Sequence, residues 1–558
     1  METNLEPEIA EEIKKMSLKQ FTKLYDELAN DEDAQETILV ERCRTDLQLF
    51  TMAFFPHFAQ HNFNAFHMDC FRDWKEITRK NRRAYAAPRG SAKSTLAALI
   101  KPIHDVCYGL ERYIVVISNT ETQASAKLKD IRRELMENAN LRYYFGKFFP
   151  GKKVSETMFV ATCNGHQCMF QAFSAGTEMR GIRFGAWRPS KIICDDVEHS
   201  DEVFNEEIRR KYSDWFREVV SQVGDENTNI EFIGTVLHKK SLLIELTENP
   251  AYSSRMYKSV ISWSQNEKMW QQWRKIYGNL DNPNRFTDAQ EYFEKNQIEM
   301  LKGAQVLWPE KENYLDLMKI MYEIGRKAFM KERQNEPVAS DQAIFDTMHW
   351  FTECSEGLRI TASGVVIPWK ELTPYGVLDP STGQTKARAG KAGDFSCLLS
   401  GYQDQKGRLF VHSDWTRRSA PTKFIEALFE HHDIYNYAKF GVETNLYRNL
   451  LLPNINSEKV AREQKRKAEG KKPWGINLPL YDIENVENKE KRIYTLEPKV
   501  TNGFILFNET LSNEFKSQIE SFPLGEHDDC PDTLEMLWSL VNNRFKMSGL
   551  PLSPQQGR

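Results

Sequence analysis

The chain has 558 residues and a formal net charge of -4, so its overall charge gives no sign of binding to nucleic acid. Apolar residues make up 40%, which is enough for sizeable cores, and the length predicts about three or four folding units. No apolar run reaches the roughly 18 residues of a membrane span, and the N-terminus does not resemble a signal peptide. With nine scattered cysteines, these features predict a protein of the reducing cytoplasm that is neither secreted nor held in a membrane.

The N-terminal region, residues 1–50, is charged and carries apolar residues at roughly helical spacing. This pattern predicts a helical appendage, either a cap on the next domain or a surface for a partner. An aromatic segment from Phe54 to Asp69 follows, in a position that often supplies the adenine pocket in nucleotide motors. Packing in the core would explain the same aromatic residues equally well.

A phosphate-binding loop is predicted where a short hydrophobic strand turns into a helix at Lys93. The loop amides would bind the phosphates of ATP, with Lys93 against the β- and γ-phosphates and the Ser94 hydroxyl on Mg²⁺. The usual pattern is imperfect, because Ala87 and Ala92 stand where glycines are expected. The residues predicted to bind the nucleotide here are Arg89, Gly90, Ser91, Ala92, Lys93, Ser94 and Thr95.

An apolar strand that ends in acidic residues, from Lys191 to Glu198, follows the loop. Asp195 is predicted to hold Mg²⁺, and either Asp196 or Glu198 to orient or deprotonate the attacking water. A further strand ends at Thr235, which is placed to sense the γ-phosphate. Because strands and helices alternate here, residues 51–250 are predicted to form a P-loop ATPase with a mostly parallel sheet.

Two arginines are candidates for neutralising charge in the transition state of hydrolysis. Arg89 lies inside the loop, and Arg180 precedes the acidic strand. An arginine in this role raises the rate by about 10³- to 10⁵-fold. Residues 251–345 lose the alternation of strand and helix, and they are predicted to form a helical lid and a linker.

A second domain is predicted over residues 346–548, followed by a polar tail at 549–558. Three strands in meander, a helix, a fourth strand and a late helix give the element order of a ribonuclease H-like nuclease. Its chemistry requires two Mg²⁺ or Mn²⁺ ions about 4 Å apart, held by oxygen ligands. Strand and helix ends offer four candidate ligands: Asp379, Glu443, Asp529 and Asp532. Asp394 is a weaker candidate.

A basic stretch from Lys459 to Lys472 lies between Glu443 and the late helix, and Lys489 to Arg492 continues it. This local excess of positive charge suits contacts with DNA phosphates, although a solvated helix has the same composition.

The two predicted domains in this order resemble the large terminase subunit of tailed bacteriophages. The resemblance rests on the loop Pro88 to Thr95, the acidic strand, the Gly-Thr strand end, a connector-like segment from Lys331 to Pro337, and His527 to Asp529. It implies ATP-driven translocation of double-stranded DNA into a procapsid and metal-dependent cutting of concatemeric DNA. It also implies a homo-oligomer, usually a pentamer, on the portal protein of a procapsid in the host cytoplasm, working with a small terminase subunit.

Two other functions are compatible with parts of the sequence. One is an ATP-dependent DNA translocase or helicase whose C-terminal domain binds nucleic acid without cutting it. The other is a packaging component that binds ATP as an assembly switch. The predicted carboxylates of the second domain disfavour the first alternative, and the arginines and acids around the loop disfavour the second.

Overall fold

The computed structural model describes residues 5–75, 80–148, 155–199, 203, 205–337, 343–345, 347–380, 395–443, 448–470, 478–483, 488–525 and 527–542. They belong to two compact units. The first unit comprises Met1–Glu267, Gln297–Met321 and Lys327–Val338, and the second comprises Lys268–Asn296, Tyr322–Arg326 and Ala339–Arg558. The predicted candidate Asp394 and the tail at 549–558 lie outside the described residues. No helix of the described part is long and apolar enough to cross a membrane.

The first unit is built on a seven-stranded sheet with the order β3-β4-β2-β5-β6-β1-β7, in which only β3 runs antiparallel to its neighbour. A two-stranded sheet pairs β8 with β9. The strands are β1 Arg82–Ala86, β2 Tyr113–Ser118, β3 Met158–Cys163, β4 His166–Ser174, β5 Lys191–Asp195, β6 Asn229–Gly234, β7 Ser253–Met256, β8 Val260–Ser262 and β9 Gln305–Val306. The predicted mostly parallel sheet is therefore confirmed.

Helices cover both faces of this sheet. Successive side chains of β2 accordingly point into two different apolar cores, one on each face. Ile114 and Val116 face one apolar core, while Tyr113 and Val115 face the other. A strand buried on both faces reads as a continuous apolar run. The helices up to residue 250 are α1 Pro7–Lys15, α2 Leu18–Glu27, α3 Glu32–Cys43, α4 Leu47–Phe54, α5 Ala65–Lys75, α6 Lys93–Thr95, α7 Lys101–Cys107, α8 Glu121–Glu137, α9 Ala139–Phe145, α10 Glu206–Trp215, α11 Ser221–Val223 and α12 Leu242–Glu248.

Two π-helical turns, Leu96–Ile100 and Phe216–Val220, join α6 to α7 and α10 to α11. The predicted N-terminal appendage is helical, and Ile13, Phe21 and Ile38 form a small core of their own within it. Four helices follow α12 along the chain: α13 Glu267–Tyr277, α14 Arg285–Met300, α15 Tyr314–Ile324 and α16 Arg326–Gln334.

The second unit contains a nine-stranded mixed sheet with the order β12-β11-β10-β18-β15-β14-β13-β16-β17. Strands β13, β14 and β15 form an antiparallel meander, and β16 returns parallel to β13. This is the strand layout predicted for the ribonuclease H-like domain. The strands are β10 His349–Cys354, β11 Gly357–Ile360, β12 Val366–Pro368, β13 Thr373–Asp379, β14 Ser396–Gln403, β15 Leu409–Arg417, β16 Lys439–Glu443, β17 Leu480–Ile483 and β18 Ile505–Asn508.

The last helix of this unit, α22 Asp529–Val541, packs across β13 and β14. Every residue of α22 is buried, although its first turn contains Asp529 and Asp532. Burying carboxylates is costly unless other groups compensate their charge, so this turn marks a candidate site. The helices between α16 and α22 along the chain are α17 Pro421–Tyr435, α18 Arg448–Ala468, α19 Lys489–Tyr494, α20 Glu497–Thr501 and α21 Asn513–Ser521, with a 3₁₀ turn at Trp369–Glu371.

Candidate active sites

Each unit gathers predicted site residues at the carboxyl ends of its strands. In the first unit, β1, β5 and β6 are parallel neighbours, so the phosphate loop, Asp195 and Thr235 meet at one edge of the sheet. A cavity of about 180 Å³ opens at this edge. Its lining comprises Arg89, Asn119, Gln123, Asp196, Val197, Glu198, His199, Phe232, Gly234, Thr235, Leu237, Leu243 and Glu332.

The phosphate loop, residues 87–92, leads from β1 into a helix that starts at Lys93. Gly90 has a φ of +86° and Ala92 a φ of +58°. Ala92 therefore adopts the left-handed conformation that the usual glycine would supply, at a cost of about 1 kcal/mol. The departure from the sequence pattern leaves the turn intact, and the first amides of the helix remain suited to an anion.

Lys93 is buried, and its ammonium group lies among the other predicted residues. Its Nζ donates a hydrogen bond to Thr235 Oγ1 at 3.0 Å and lies 3.7 Å from Asp196 Oδ1. The structure thus brings the loop lysine, the Gly-Thr strand end and the acidic strand end together. A triphosphate in this place would meet a cation held between two strand ends.

Ser94 and Asp195 form the second contact between loop and acidic strand. The Ser94 hydroxyl donates to Asp195 Oδ1 at 3.0 Å, and Asp195 is fully buried. Its Oδ2 lies 2.6 Å from Lys127 Nζ, although that contact lacks hydrogen-bond geometry. The Ser94 hydroxyl and the Asp195 carboxylate, whose Oδ2 accepts no hydrogen bond, offer only oxygen atoms as metal ligands. Such a donor set fits Mg²⁺.

Lys127 is a residue that the sequence analysis did not single out. Its Nζ donates to Ser118 Oγ at 2.8 Å and to the backbone oxygen of Asp195 at 3.1 Å, in addition to the ion pair with the carboxylate. Lys127 reaches this place from α8, which packs on β2. One lysine among several on an amphipathic helix carries no sequence signal for this contact.

Asp196 directly follows β5 and lies in the left-handed region with a φ of +49°. Its amide donates to the Ile233 oxygen at 3.1 Å, which holds this strained turn against β6. About half of the side chain is exposed (51%) toward the cavity, yet the surrounding protein raises the pKa of its carboxyl. Desolvation is the main cause; Lys93 opposes the increase and Asp195 adds to it.

Glu198 has a different environment, although it also borders the cavity. Its two carboxylate oxygens accept hydrogen bonds from the Leu242 and Leu243 amides, at 2.8 and 3.2 Å. These amides belong to the first turn of α12, whose N-cap residue is Ser241, so Glu198 supports the cap by binding two further amides that lack partners within the helix. Burial raises the pKa of Glu198, and the two amide hydrogen bonds oppose the increase. Of the two candidates for activating water, only Asp196 lies near Lys93.

The two predicted arginines lie in different places. Arg89 lines the cavity with an exposed side chain, and its Nε is 3.4 Å from Glu332 Oε2. Arg180 is also exposed, lies 3.8 Å from Glu178 and is not among the residues lining the cavity. Thr95 is the last residue of α6.

Ser91 ties the loop to the aromatic segment that precedes β1. The buried His67 side chain bonds the Ser91 carbonyl oxygen through Nε2 at 2.7 Å, and its Nδ1 accepts from the Asn64 amide at 3.2 Å. The ring is therefore neutral with the proton on Nε2. Burial lowers the pKa of His67 to about 4.

In the second unit, Asp379 and Glu443 end the neighbouring parallel strands β13 and β16. The pairing of the strands runs to Leu378 beside Val442, one residue before each carboxylate. The two side chains are hydrogen bonded to each other, and burial together with the charges of Glu443 and Asp532 raises the pKa of Asp379. Carboxylates crowded in this way favour either a shared proton or a bound cation.

Asp532 completes this group from the first turn of α22. It is almost fully buried, and burial raises its pKa while Lys489 and Arg492 oppose the increase. Arg492 Nη2 donates to Asp532 Oδ1 at 2.6 Å, and Lys489 Nζ lies 3.4 Å from Asp532 Oδ2. Both cations belong to the basic stretch predicted to contact DNA, and in the structure they contact the Asp532 carboxylate. Their spacing of three residues places both on one side of α19.

Asp529, the fourth predicted metal ligand, contacts the Phe395 backbone and the His527 side chain. Its Oδ2 accepts a hydrogen bond from the Phe395 amide at 3.1 Å and lies 3.9 Å from His527 Nδ1. Among the residues that the structure describes, no three His, Cys, Asp or Glu side chains already surround a common point as metal ligands. The donor set of Asp379, Glu443 and Asp532 is nevertheless all carboxylate, which fits Mg²⁺ or Mn²⁺.

No family model and no curated protein matches this sequence. Among solved structures, the large terminase of the thermophilic bacteriophage D6E is similar, with 9% identity, a TM-score of 0.40, and coverage of 87% of this chain and 99% of that one. The large terminase of bacteriophage HK97 has 11% identity and a TM-score of 0.31, covering 89% and 99%. The large terminase nuclease of the thermophilic phage G20c has 11% identity and a TM-score of 0.21, covering 36% and 98%.

At these identities and TM-scores, no residue's role is transferred to this chain. The solved proteins to which the chain is similar are phage large terminases, the family that its sequence resembles.

Proposed function

We propose that this chain is the large terminase subunit of a tailed phage, which moves double-stranded DNA into a procapsid by ATP hydrolysis and cuts concatemeric DNA. The observation that supports this most is the presence of two sites in one chain. The Lys93–Thr235 and Ser94–Asp195 pairs lie at the edge of a parallel sheet, and the carboxylates of Asp379, Glu443 and Asp532 lie on a second sheet and its covering helix.

In the first unit, Lys93 would bind the β- and γ-phosphate oxygens of ATP, and Thr235 would contact the terminal phosphate. Ser94 and Asp195 would hold Mg²⁺, which would offset the phosphate charge. Asp196 orients the attacking water and accepts its proton. Its raised pKa suits this role, because a general base works best with a pKa near the working pH.

In the second unit, Asp379, Glu443 and Asp532 would hold two Mg²⁺ or Mn²⁺ ions, whose positive charge would activate the attacking water and offset charge on the leaving oxygen of the phosphodiester. Lys489 and Arg492 offset part of the carboxylate charge. They also place positive charge beside the scissile phosphate.

The partners of this proposal come from the resemblance. They are double-stranded DNA, the portal protein of the procapsid, a small terminase subunit and further copies of this chain, most simply a pentamer. The protein would act in the host cytoplasm and transiently at the portal vertex.

The test is plasmid cleavage in Mg²⁺ or Mn²⁺ and DNA-stimulated ATP hydrolysis by the full chain. We expect Asp379→Asn to abolish cleavage and Lys93→Ala to abolish ATP hydrolysis. Asp433→Asn and Lys129→Ala, which change exposed residues of α17 and α8, are the matched controls and should retain both activities.

Other outcomes would indicate the alternatives. ATP hydrolysis without cleavage in either metal would favour a DNA translocase or helicase with a non-cleaving C-terminal domain. Tight ATP binding without turnover would favour a nucleotide-switched packaging component. Cleavage that survives in Asp379→Asn would place the metal site elsewhere.

A further inference from the structure

The end of α16 contacts more of the ATPase site than its sequence indicates. We call Glu332–Asn335 the connector segment; it lies within the stretch Lys331 to Pro337 that the sequence analysis noted. Gln334 and Asn335 are almost fully buried, with 1% and 2% exposure. Each of the four residues forms a hydrogen bond with the backbone of another part of the first unit.

On one side, the connector segment holds the phosphate loop. The Arg89 amide donates to the Glu332 carbonyl oxygen at 2.9 Å, and Arg333 Nη1 donates to the Arg89 carbonyl oxygen at 2.8 Å. Both backbone polar groups of Arg89 are thus bound by two consecutive residues. Arg333 Nη1 also pairs with Glu312 Oε2 at 2.8 Å, which orients the guanidinium.

Gly90 permits this close approach. A Cβ atom added to Gly90 would lie 3.0 Å from Arg333 Nη1, and the φ of +86° there already disfavours a side chain. The loop backbone and the guanidinium therefore pack directly against each other.

On the other side, Asn335 holds the strand end that carries Thr235. Its Oδ1 accepts from the Val236 amide at 2.8 Å, and its Nδ2 donates to the Tyr257 carbonyl oxygen at 2.8 Å. Asn335 has a φ of +53°, a strained conformation for a residue with a side chain. Two buried hydrogen bonds keep it there, and Val236 directly follows the residue that binds Lys93.

Gln334 fixes the segment between these two contacts. Its amide group bonds both backbone groups of Val260, with Oε1 accepting at 2.8 Å and Nε2 donating at 2.9 Å. The Ser259 amide also donates to the Arg333 carbonyl oxygen at 2.7 Å. Because buried amides left without partners are costly, the segment is held in one position.

The sheet by itself joins the two phosphate-contacting loops only at its edge. At that edge the Ala87 amide donates to the Gly234 carbonyl oxygen at 3.0 Å, and Thr235 Oγ1 donates to the Ala87 carbonyl oxygen at 3.4 Å. Beyond that edge, Lys93 and Thr235 join the two elements through their side chains, and the connector segment links their backbones at Arg89 and Val236. The separation of these two elements sets where Lys93 and Thr235 lie along a triphosphate.

We infer that Arg333 and Asn335 are positioning residues that set the spacing between the phosphate loop and Thr235, and that this spacing lets the site distinguish ATP from ADP. The inference rests on the proposed function in that the nucleotide is the ligand. The γ-phosphate is the part of ATP that both elements contact, so loosening their link weakens the binding of a triphosphate more than that of a diphosphate.

The test measures the dissociation constants of ADP and ATPγS for the full chain by titration calorimetry. Asn335→Gly suits the positive φ and removes only the amide group, and Arg333→Gln removes the bond to the loop. In both variants we expect the ratio of the ADP constant to the ATPγS constant to fall by about five- to tenfold, which corresponds to the loss of one hydrogen bond.

Arg326→Gln, which replaces an exposed residue at the start of α16, is the matched control and should keep the wild-type ratio. Thermal unfolding shows whether each variant is folded, and Arg333→Lys is the milder substitute if one is not. A purely structural role would weaken the binding of both nucleotides equally. An unchanged ratio in folded variants would overturn this inference alone, whereas a wild-type chain that binds neither nucleotide would overturn the proposed function as well.

Discussion

At the scale of single residues, the candidate site of the first unit contains two acids and two lysines whose charges oppose each other. Asp195 and Asp196 follow each other at the end of β5, and Lys93 and Lys127 approach them from different helices. Consecutive carboxylates repel each other, and each lysine reduces that repulsion at one of them. Replacing either lysine therefore tests how much its charge contributes to this site.

We expect Lys127→Met to lower the rate of ATP hydrolysis on the order of ten- to a hundredfold, because the Asp195 carboxylate loses the cation that keeps it against Ser94. Steady-state ATPase assays over a range of Mg²⁺ concentrations measure the effect. Lys129→Met changes an exposed residue of the same helix and serves as the control. Wild-type turnover in Lys127→Met would show that Asp195 needs no such support.

His67 predicts a dependence of stability on pH. Burial lowers the pKa of His67 from its ordinary value of 6.5 to about 4, and nearby Lys311 contributes to the decrease. Between these values the unfolded chain binds more protons than the native one, so stability falls as the pH falls. Relative to His67→Gln, the wild type should lose about 2–3 kcal/mol between about pH 7 and pH 4.5.

Urea unfolding of both proteins across this pH range measures the difference. The control is His61→Gln, which replaces an exposed histidine and should leave the wild-type pH dependence unchanged. Parallel pH profiles for wild type and His67→Gln would contradict the assignment of a buried neutral imidazole.

At the scale of elements, the acids that follow β5 contact two different features: Asp196 borders the cavity, and Glu198 contacts the helix α12. The backbone turns sharply at Asp196, with a φ of +49°, and this turn separates the two neighbouring carboxylates. Asp196 is left facing the cavity, while Glu198 reaches the first turn of α12. A helix terminus has unpaired amides, so a carboxylate nearby is first explained as a cap.

This difference predicts distinct effects for the two acids. We expect Asp196→Asn to lower kcat by about 10²- to 10⁴-fold, as the loss of a general base does, with little change in unfolding temperature. Glu198→Gln should lower kcat by less than about tenfold and reduce stability by about 0.5–2 kcal/mol, as the loss of a cap does. ATPase assays and thermal unfolding of both variants decide the matter, and the reverse pattern would make Glu198 the water-activating residue.

At the scale of the whole molecule, each of the two units has its own core and its own charged site. The second site is crowded with acids, and the raised pKa of Asp379 means that the native carboxyl keeps a proton that the unfolded chain releases. Without metal, the contribution of Asp379 to the free energy of unfolding therefore falls as the pH rises above 3.8, the ordinary pKa of an aspartate. A divalent cation that binds the ionised carboxylates acts in the opposite direction.

Addition of Mn²⁺ should therefore raise the unfolding temperature of the full chain, and the increase should grow between about pH 5 and pH 8. At a concentration one hundred times the dissociation constant, the stabilisation is about 2.7 kcal/mol. EDTA should reverse the increase, and Glu443→Gln should abolish it. Asp433→Asn, an exposed change on α17, should behave as the wild type does. Equal stabilisation of the Glu443→Gln variant by Mn²⁺ would place metal binding at another site.

Local sequence was informative where the physical signal is itself local. An Asn-Gly dipeptide is a local signal for a hairpin, and at Asn164-Gly165 the structure joins β3 to β4 with both residues at positive φ. Alternating strands and helices predicted the parallel sheet, because a crossover helix is the usual connection between parallel strands. The acids at the strand ends could be found in the same way, since parallel strands bring their carboxyl ends to one edge.

The sequence by itself thus determined the α/β class, the order of the two halves and the strand ends that carry Asp195, Thr235, Asp379 and Glu443. Only the tertiary structure decided the contacts between distant parts of the chain: Lys127 with Asp195, Glu198 with α12, Asn335 with Val236, and Arg492 with Asp532. Periodicity and turn residues act over a few positions, so a sequence shows them directly. Contacts between residues far apart in the chain depend on how whole elements pack, and no short stretch of sequence contains that information.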